Sequence, residues 1–163
     1  MKVRILATAA IAAAALAVSV AAPVSAVAPA APSGSLVVYS NDTQRNVLDL
    51  GGSGTTVGDI VTGSGTTSFT KGGKSNGTFY YRAETVRVNM PGGNMTRINN
   101  AVYDLPGGTI MTAGLVSIQQ GTEPTKSQDL VIVGGTGKYA GANGTAKLIP
   151  GAKNYKVTFT FTS

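Results

Sequence analysis

Apolar and polar side chains alternate with a period of two in the clearest stretches of this chain. Tyr155, Val157, Phe159 and Phe161 fall on one face of an extended segment, and Lys156, Thr158, Thr160 and Thr162 on the other. Such alternation is the signature of a half-buried strand. Gly77 to Val88 splits less cleanly: Phe79, Tyr81, Ala83 and Thr85 share a face opposite Tyr80, Arg82, Glu84 and Val86. The first set is assigned inward, because burying Arg82 with Glu84 carries a desolvation cost that pairing only partly offsets. Leu130 to Val133 is apolar on both parities, which predicts a strand covered on both faces.

Extending this reading predicts eight strands: Ser35 to Ser40, Val57 to Thr62, Gly77 to Val88, Thr96 to Leu105, Thr109 to Ile118, Leu130 to Val133, Gly144 to Ile149 and Tyr155 to Thr162. Residues 41–56 read as a long loop in which Val47 to Leu50 packs back. Gly63 to Lys74 reads as a turn region with a short paired piece at Thr67 to Thr70, and 119–127 as a polar loop. Met90 to Asn94, Pro106-Gly107-Gly108 and Pro150-Gly151 turn the chain. No segment after residue 26 sustains a helical period. Strands joined mostly by hairpins make an antiparallel meander, and full closure removes its edges. The expected fold is all-β: an eight-stranded antiparallel barrel, with room for its own side chains or one small ligand.

Between the sixth and seventh strands lie Gly134, Gly135, Gly137, Gly141 and Gly144, which permit positive φ or close backbone approach. Gly135 to Ala140 fits the G-x-G-x-x-A dinucleotide fingerprint, but Gly141 and Gly144 would break the helix that must follow. No acidic residue stands about 20 positions on. A P-loop fails too, with Ile132 where its first glycine belongs and Tyr139 in place of the magnesium-binding hydroxyl. The segment reads as a structural turn.

Residues 1–26 have the form of a secretory signal peptide: Lys2 and Arg4, an apolar stretch from Ile5 to Val20, and small residues at Val24-Ser25-Ala26. The apolar stretch is shorter than a spanning helix prefers, so no membrane association is expected after cleavage. Residues 27–33 form a Pro/Ala-rich lead-in, and 34–163 one barrel domain. Without Lys2 and Arg4, eleven basic and seven acidic residues remain, a net charge of +4. The basic residues are scattered, which gives no support to nucleic-acid binding. There is no Cys and no His, so stability rests on the core. A His-based triad, a His proton shuttle and the common zinc sets are excluded. No metal and no cofactor is expected.

Val131 to Gly144 resembles the late signature of the allene oxide cyclase and dirigent proteins, most closely the bacterial allene oxide cyclase barrel-like group. Leu36 to Tyr39 is similar to the opening strand of that superfamily, and Gly54 to Asp59 to its second-strand entry. Leu105 to Ile110 with Gly114-Leu115-Val116 is similar to its central hairpin. The resemblance covers about residues 34–162. It implies a calycin-like barrel, a homotrimer as in many of the plant proteins, and a hydrophobic cavity with few polar groups. It also implies a small hydrophobic or aromatic ligand, bound and steered through cyclisation or coupling. With the alanine-rich leader it points to bacterial export and an extracellular location. Departures are specific. Ser40 stands where the plant cyclase carries Glu, Ala83 where its cavity Cys falls, and Asn143 where the dirigent motif has Arg.

Six residues are candidates for the cavity. Tyr81, with Tyr39 or Ser40, can donate hydrogen bonds into it. Arg97 and Asn99 share a face of the fourth strand and suit a carboxylate. Asp59 is either a polar group at the mouth or a turn carboxylate capping backbone N–H groups. No catalytic residue is assigned. Three readings stay open: ligand binding or steering, a true cyclase or isomerase, and a non-catalytic extracellular scaffold.

Overall fold

The computed structural model describes residues 30–89, 93–119, 122, 124–151 and 154–162. The leader 1–26, residues 27–29 of the lead-in, Met90-Pro91-Gly92 of one turn and Gln120, Gly121 and Glu123 of the polar loop lie outside the described residues. Eight strands form a closed antiparallel barrel in chain order: β1 (Gly34–Leu48), β2 (Ile60–Ser68), β3 (Gly77–Val88), β4 (Asn94–Leu105), β5 (Gly108–Gln119), β6 (Gln128–Gly135), β7 (Gly144–Pro150) and β8 (Tyr155–Phe161). Closure comes from β8 pairing with β1, from Gly34 opposite Phe161 to Ser40 opposite Tyr155. In such a meander alternate connections share an end. The strand ends that flank the β1–β2, β3–β4, β5–β6 and β7–β8 connections mark the upper rim, and those that flank the other three mark the lower.

β1 and β2 depart furthest from the expected bounds. β1 does not stop at Ser40 but runs on to Leu48, paired with β2 as far as Leu48 opposite Ile60, with a bulge between Asp42 and Gln44. Residues 41–48 are exposed, so their side chains carry no apolar alternation, while the backbone ladder needs none. β2 starts at Ile60 rather than Val57 and continues through the expected turn at Gly63. Its glycines serve packing. A Cβ at Gly63 would lie 2.5 Å from Cζ of Tyr81, and one at Gly65 2.5 Å from Cε1 of Phe79. The β2 wall is thinned so that two rings lie against it.

On β3, Phe79, Ala83 and Thr85 are buried, while Arg82 and Glu84 pair outside at 3.4 Å. On β6 the expectation of two covered faces fails. Leu130 and Ile132 are buried, but Val131 and Val133 are each 56% exposed.

The lower half of the barrel is filled. Tyr139, in a single 3₁₀ turn over Gly137–Tyr139, enters from below and stacks on Phe161 with centroids 6.4 Å apart. Contacts continue from Phe161 to Phe159 (6.5 Å), Tyr103 (5.1 Å, edge-on), Phe79 (5.9 Å) and Tyr81 (6.1 Å). The glycine segment holds this plug by backbone bonds to the β4–β5 hairpin: Lys138 N–H to Gly107 at 2.8 Å and Thr136 N–H to Thr109 at 2.9 Å. Gly137 has φ of 58° and packs directly on Gly107, so no side chain fits there.

Gly63→Ala is expected to destabilise the barrel by about 1–3 kcal/mol through overpacking against Tyr81. Tyr81→Ala should relieve most of that cost in the double variant. Chemical denaturation of the four proteins measures the coupling, and strictly additive costs would contradict the ring-seat assignment.

Candidate functional site

Above the ladder the filling stops. A pocket of about 680 Å3, part of it open to solvent, lies between the rings and the upper rim. Its floor and walls come from Phe79, Tyr81 and Ala83 on β3, Arg97, Asn99, Ala101 and Tyr103 on β4, and Val116 and Ile118 on β5. Leu130, Leu148 and Tyr155 close the far side. Ser40, Asp42 and Arg45 of β1 stand with Pro124 of the β5–β6 connection in the lining.

The β1 bulge sets which side chains reach this space. Asp42 is opposite Gly65 and Arg45 opposite Gly63, both inward-facing glycines. The inserted residue shifts the parity, so Arg45 rather than Gln44 points in, as bulges commonly re-aim a side chain.

The pocket collects Ser40, Tyr81, Arg97 and Asn99 from the six candidates. Tyr39 is not among them: its parity is opposite to that of Val38 and Ser40. It borders a separate outer groove with Thr66, Ser68 and Asn154. Asp59 lies off the cavity, 3% exposed. It accepts from the N–H groups of Thr56 (2.7 Å) and Leu50 (3.1 Å) and from the Thr56 hydroxyl (3.0 Å). It thus holds the β1–β2 connection together at the upper rim. Asp42, Arg45 and Tyr103 were not singled out from sequence. Asp42 and Arg45 sit in a polar stretch without periodicity. Tyr155, assigned to an inward-type face, also lines the pocket.

Burial and then the charge of Asp42 push the Tyr81 phenol up to about 12. Tyr81 donates to Oδ2 of Asp42 at 3.3 Å. Burial likewise pushes Tyr155 up to about 12. Both phenols therefore stay protonated as hydrogen-bond donors. Partial desolvation raises the Asp42 carboxyl, against the Tyr81 hydrogen bond and the Arg45 charge, which lower it. Asp42 is the one carboxyl group in the described lining, and so the candidate proton acceptor. Arg97 is 8% exposed, and its Nε donates to Thr85 Oγ1 at 3.2 Å. Burial, then the Arg45 charge, lowers its pKa, with Tyr81 and Asp59 acting the other way. Arginine remains charged through such shifts. Among the described residues no group of three His, Cys, Asp or Glu side chains is placed to hold a metal ion. The arrangement can bind and orient a molecule and exchange a proton at Asp42.

A closed antiparallel barrel with an aromatic-floored internal pocket is the class that fold and site define. The sequence matches no family model and no curated protein. Solved structures do match. A protein described as pyocyanin demethylase aligns with TM-score 0.67 at 23% identity, over 78% of this chain and 99% of its own. The Diels–Alderase AbmU of Streptomyces koyangensis aligns with TM-score 0.60 at 18% identity, over 78% of this chain. A heme-binding cyclase that catalyses a cycloaddition in neoabyssomicin biosynthesis gives TM-score 0.59 at 19% identity, over 76% of this chain. This chain spans 64% and 61% of those two cyclases. What is shared is the barrel fold.

Hydrogen bonding from Thr56 N–H holds the Asp59 carboxyl below its ordinary 3.8, outweighing the opposing effect of burial, with Leu50 N–H and the Thr56 hydroxyl adding to it. The unfolded chain therefore binds the proton first. Its stabilising effect is complete above pH 3.8 and is lost as pH falls through the lower folded value. Asp59→Asn is expected to cost about 1–3 kcal/mol at neutral pH and to flatten the acid limb of the stability profile. Urea denaturation from pH 2.5 to 7 measures both. An unchanged acid limb would contradict the assignment.

Proposed function

We propose that this protein is an exported small-ligand barrel that holds an apolar or aromatic molecule in the upper pocket and steers its cyclisation or coupling by shape. One observation carries the reading: the ring ladder ends below the upper rim, leaving a pocket walled by Phe79, Tyr81, Tyr103, Val116 and Ile118, with Asp42, Arg45, Arg97 and Asn99 as its polar groups. Fixing a reactive molecule in one near-attack conformer lowers a barrier without a nucleophile or metal. The described activities of the similar barrels, demethylation and cycloaddition, are compatible with a ligand held inside such a barrel. A true cyclase differs in turnover alone, and Asp42 is its candidate acid–base group.

Thermal-shift screening against planar apolar compounds tests the reading. A ligand at 100 times its Kd adds about 2.7 kcal/mol. Ala101→Phe, which fills the pocket, should abolish the shift while the protein stays folded. No stabilisation by any compound class would sink the ligand reading.

The outer wall supports an assembly, which the reading takes as a homotrimer. Tyr80, Val102 and Met111 are directly opposed across β3, β4 and β5, and Val131 and Val133 continue the apolar surface on β6. An exposed apolar area of this kind marks a contact site. Native mass spectrometry of secreted protein should show a trimer beginning after Ala26. Val131→Lys with Val133→Lys should shift it to monomer. A wild-type monomer at micromolar concentration would refute the assembly.

A further inference from the structure

We propose that the pocket selects an anion: a planar aromatic carboxylate, its charge received by Arg97 and Asn99 and its ring extending the aromatic ladder at Phe79 and Tyr81. The inference rests on the ligand-binding reading above and names the class of ligand.

Arg97 and Asn99 are two residues apart on β4, so both project inward. Arg97 is nine-tenths buried, yet only its Nε is bonded, to Thr85. Among the described residues its terminal nitrogens have no hydrogen-bond partner, and neither does the Asn99 amide. The neighbours of Asn99 explain its openness: it lies opposite Ala83 on β3 and Gly114 on β5. Neither neighbour has a side chain long enough to cover the amide.

The carboxylates nearby are already engaged. Asp59 receives three donors from the β1–β2 connection, and Asp42 receives the Tyr81 hydroxyl. The other charged group in the described lining, Arg45, is a second cation. The open donors of this largely desolvated guanidinium face the pocket and gain more from a charged acceptor than from water. A carboxylate is the acceptor whose two oxygens match the guanidinium fork. Removed from water, that pair is stronger than at a surface. The stacked Phe79 and Tyr81 rings stand on the adjacent strand, so a flat ligand anchored at Arg97 meets their faces or edges.

The test compares two probes of equal shape, 2-naphthoate and 2-naphthamide, by calorimetry with the full-length exported protein at pH 7 and low salt. Naphthoate should bind wild type about tenfold or more tighter than the amide, the scale of a hydrogen bond to a charged group. Arg97→Gln should remove that preference while leaving amide affinity within about twofold, since only the charge contact is lost. Arg97→Lys, with charge but no fork, should fall between, and Asn99→Ala should weaken naphthoate alone. Equal affinity of the two probes for wild type overturns anion selection and leaves the ligand pocket standing. Failure of both probes to bind at millimolar concentration overturns the pocket reading along with it. The wild-type comparison needs no variant, so a poorly folded Arg97→Gln protein does not blunt the test.

Discussion

Closing the sheet removes its edges and creates an interior that side chains must fill, and the size of the inward residues decides where filling ends. In the lower half these are Leu105, Ile110, Tyr139, Phe159 and Phe161, all buried. Higher up, Gly63, Ala83, Ala101 and Gly114 stand among the larger inward residues and leave space between them. The large rings in between lean on the glycines of β2, whose missing Cβ atoms are what admit them. An eight-stranded barrel has space for its own side chains or a small ligand. Here the same cylinder does the first below and the second above. Each ring pair adds about 0.5–1.5 kcal/mol beyond area burial, so the ladder stiffens the pocket floor as well as filling the base.

The upper pocket depends on charges placed where hydration is thin. Arg97 is held by Thr85 on the neighbouring strand and lies within the field of Asp59. Asp59 is fixed by backbone N–H groups of the β1–β2 connection, and its own backbone pairs with Thr85 at 2.8 Å. A single short segment therefore links rim, strand and guanidinium. An ion pair at contact distance would have consumed the donors of Arg97. Placing Asp59 at the rim offsets part of the burial cost and leaves those donors open.

Much of this was legible in the sequence where burial differs between faces. The alternation in β3 and β8 placed Phe79, Tyr81, Val157 and Phe159, and the β4 pattern put Arg97 and Asn99 together. Closure followed from hairpin spacing. The rest was hidden for physical reasons. Asn41 to Leu48 is wet, so no apolar rhythm marks it as strand, and Asp42 and Arg45 went unnoticed with it. A bulge leaves no compositional trace, yet it alone turns Arg45 inward. Gly63-Ser64-Gly65 carries the composition of a turn because the same absent Cβ serves turns and ring seats alike. Val131 and Val133 were expected to be covered, because an apolar residue does not say whether its cover comes from its own chain.

The glycine-dense run and the pocket lie at opposite ends of the barrel. The run builds the plug at the lower end, where Tyr139 closes the barrel and Asn143 bonds Thr162 and Gly141. It determines how the base is made and lies apart from the pocket. Ser40 and Ala83 stand on the pocket wall, where neither carries a charge. Ala83 is directly opposite Asn99, so its small side chain leaves space beside the amide. Asp42 is the one carboxyl group in the described lining, and it accepts from Tyr81 rather than from Arg97. The terminal nitrogens of Arg97 are left open because the wall around them is built from small or uncharged side chains.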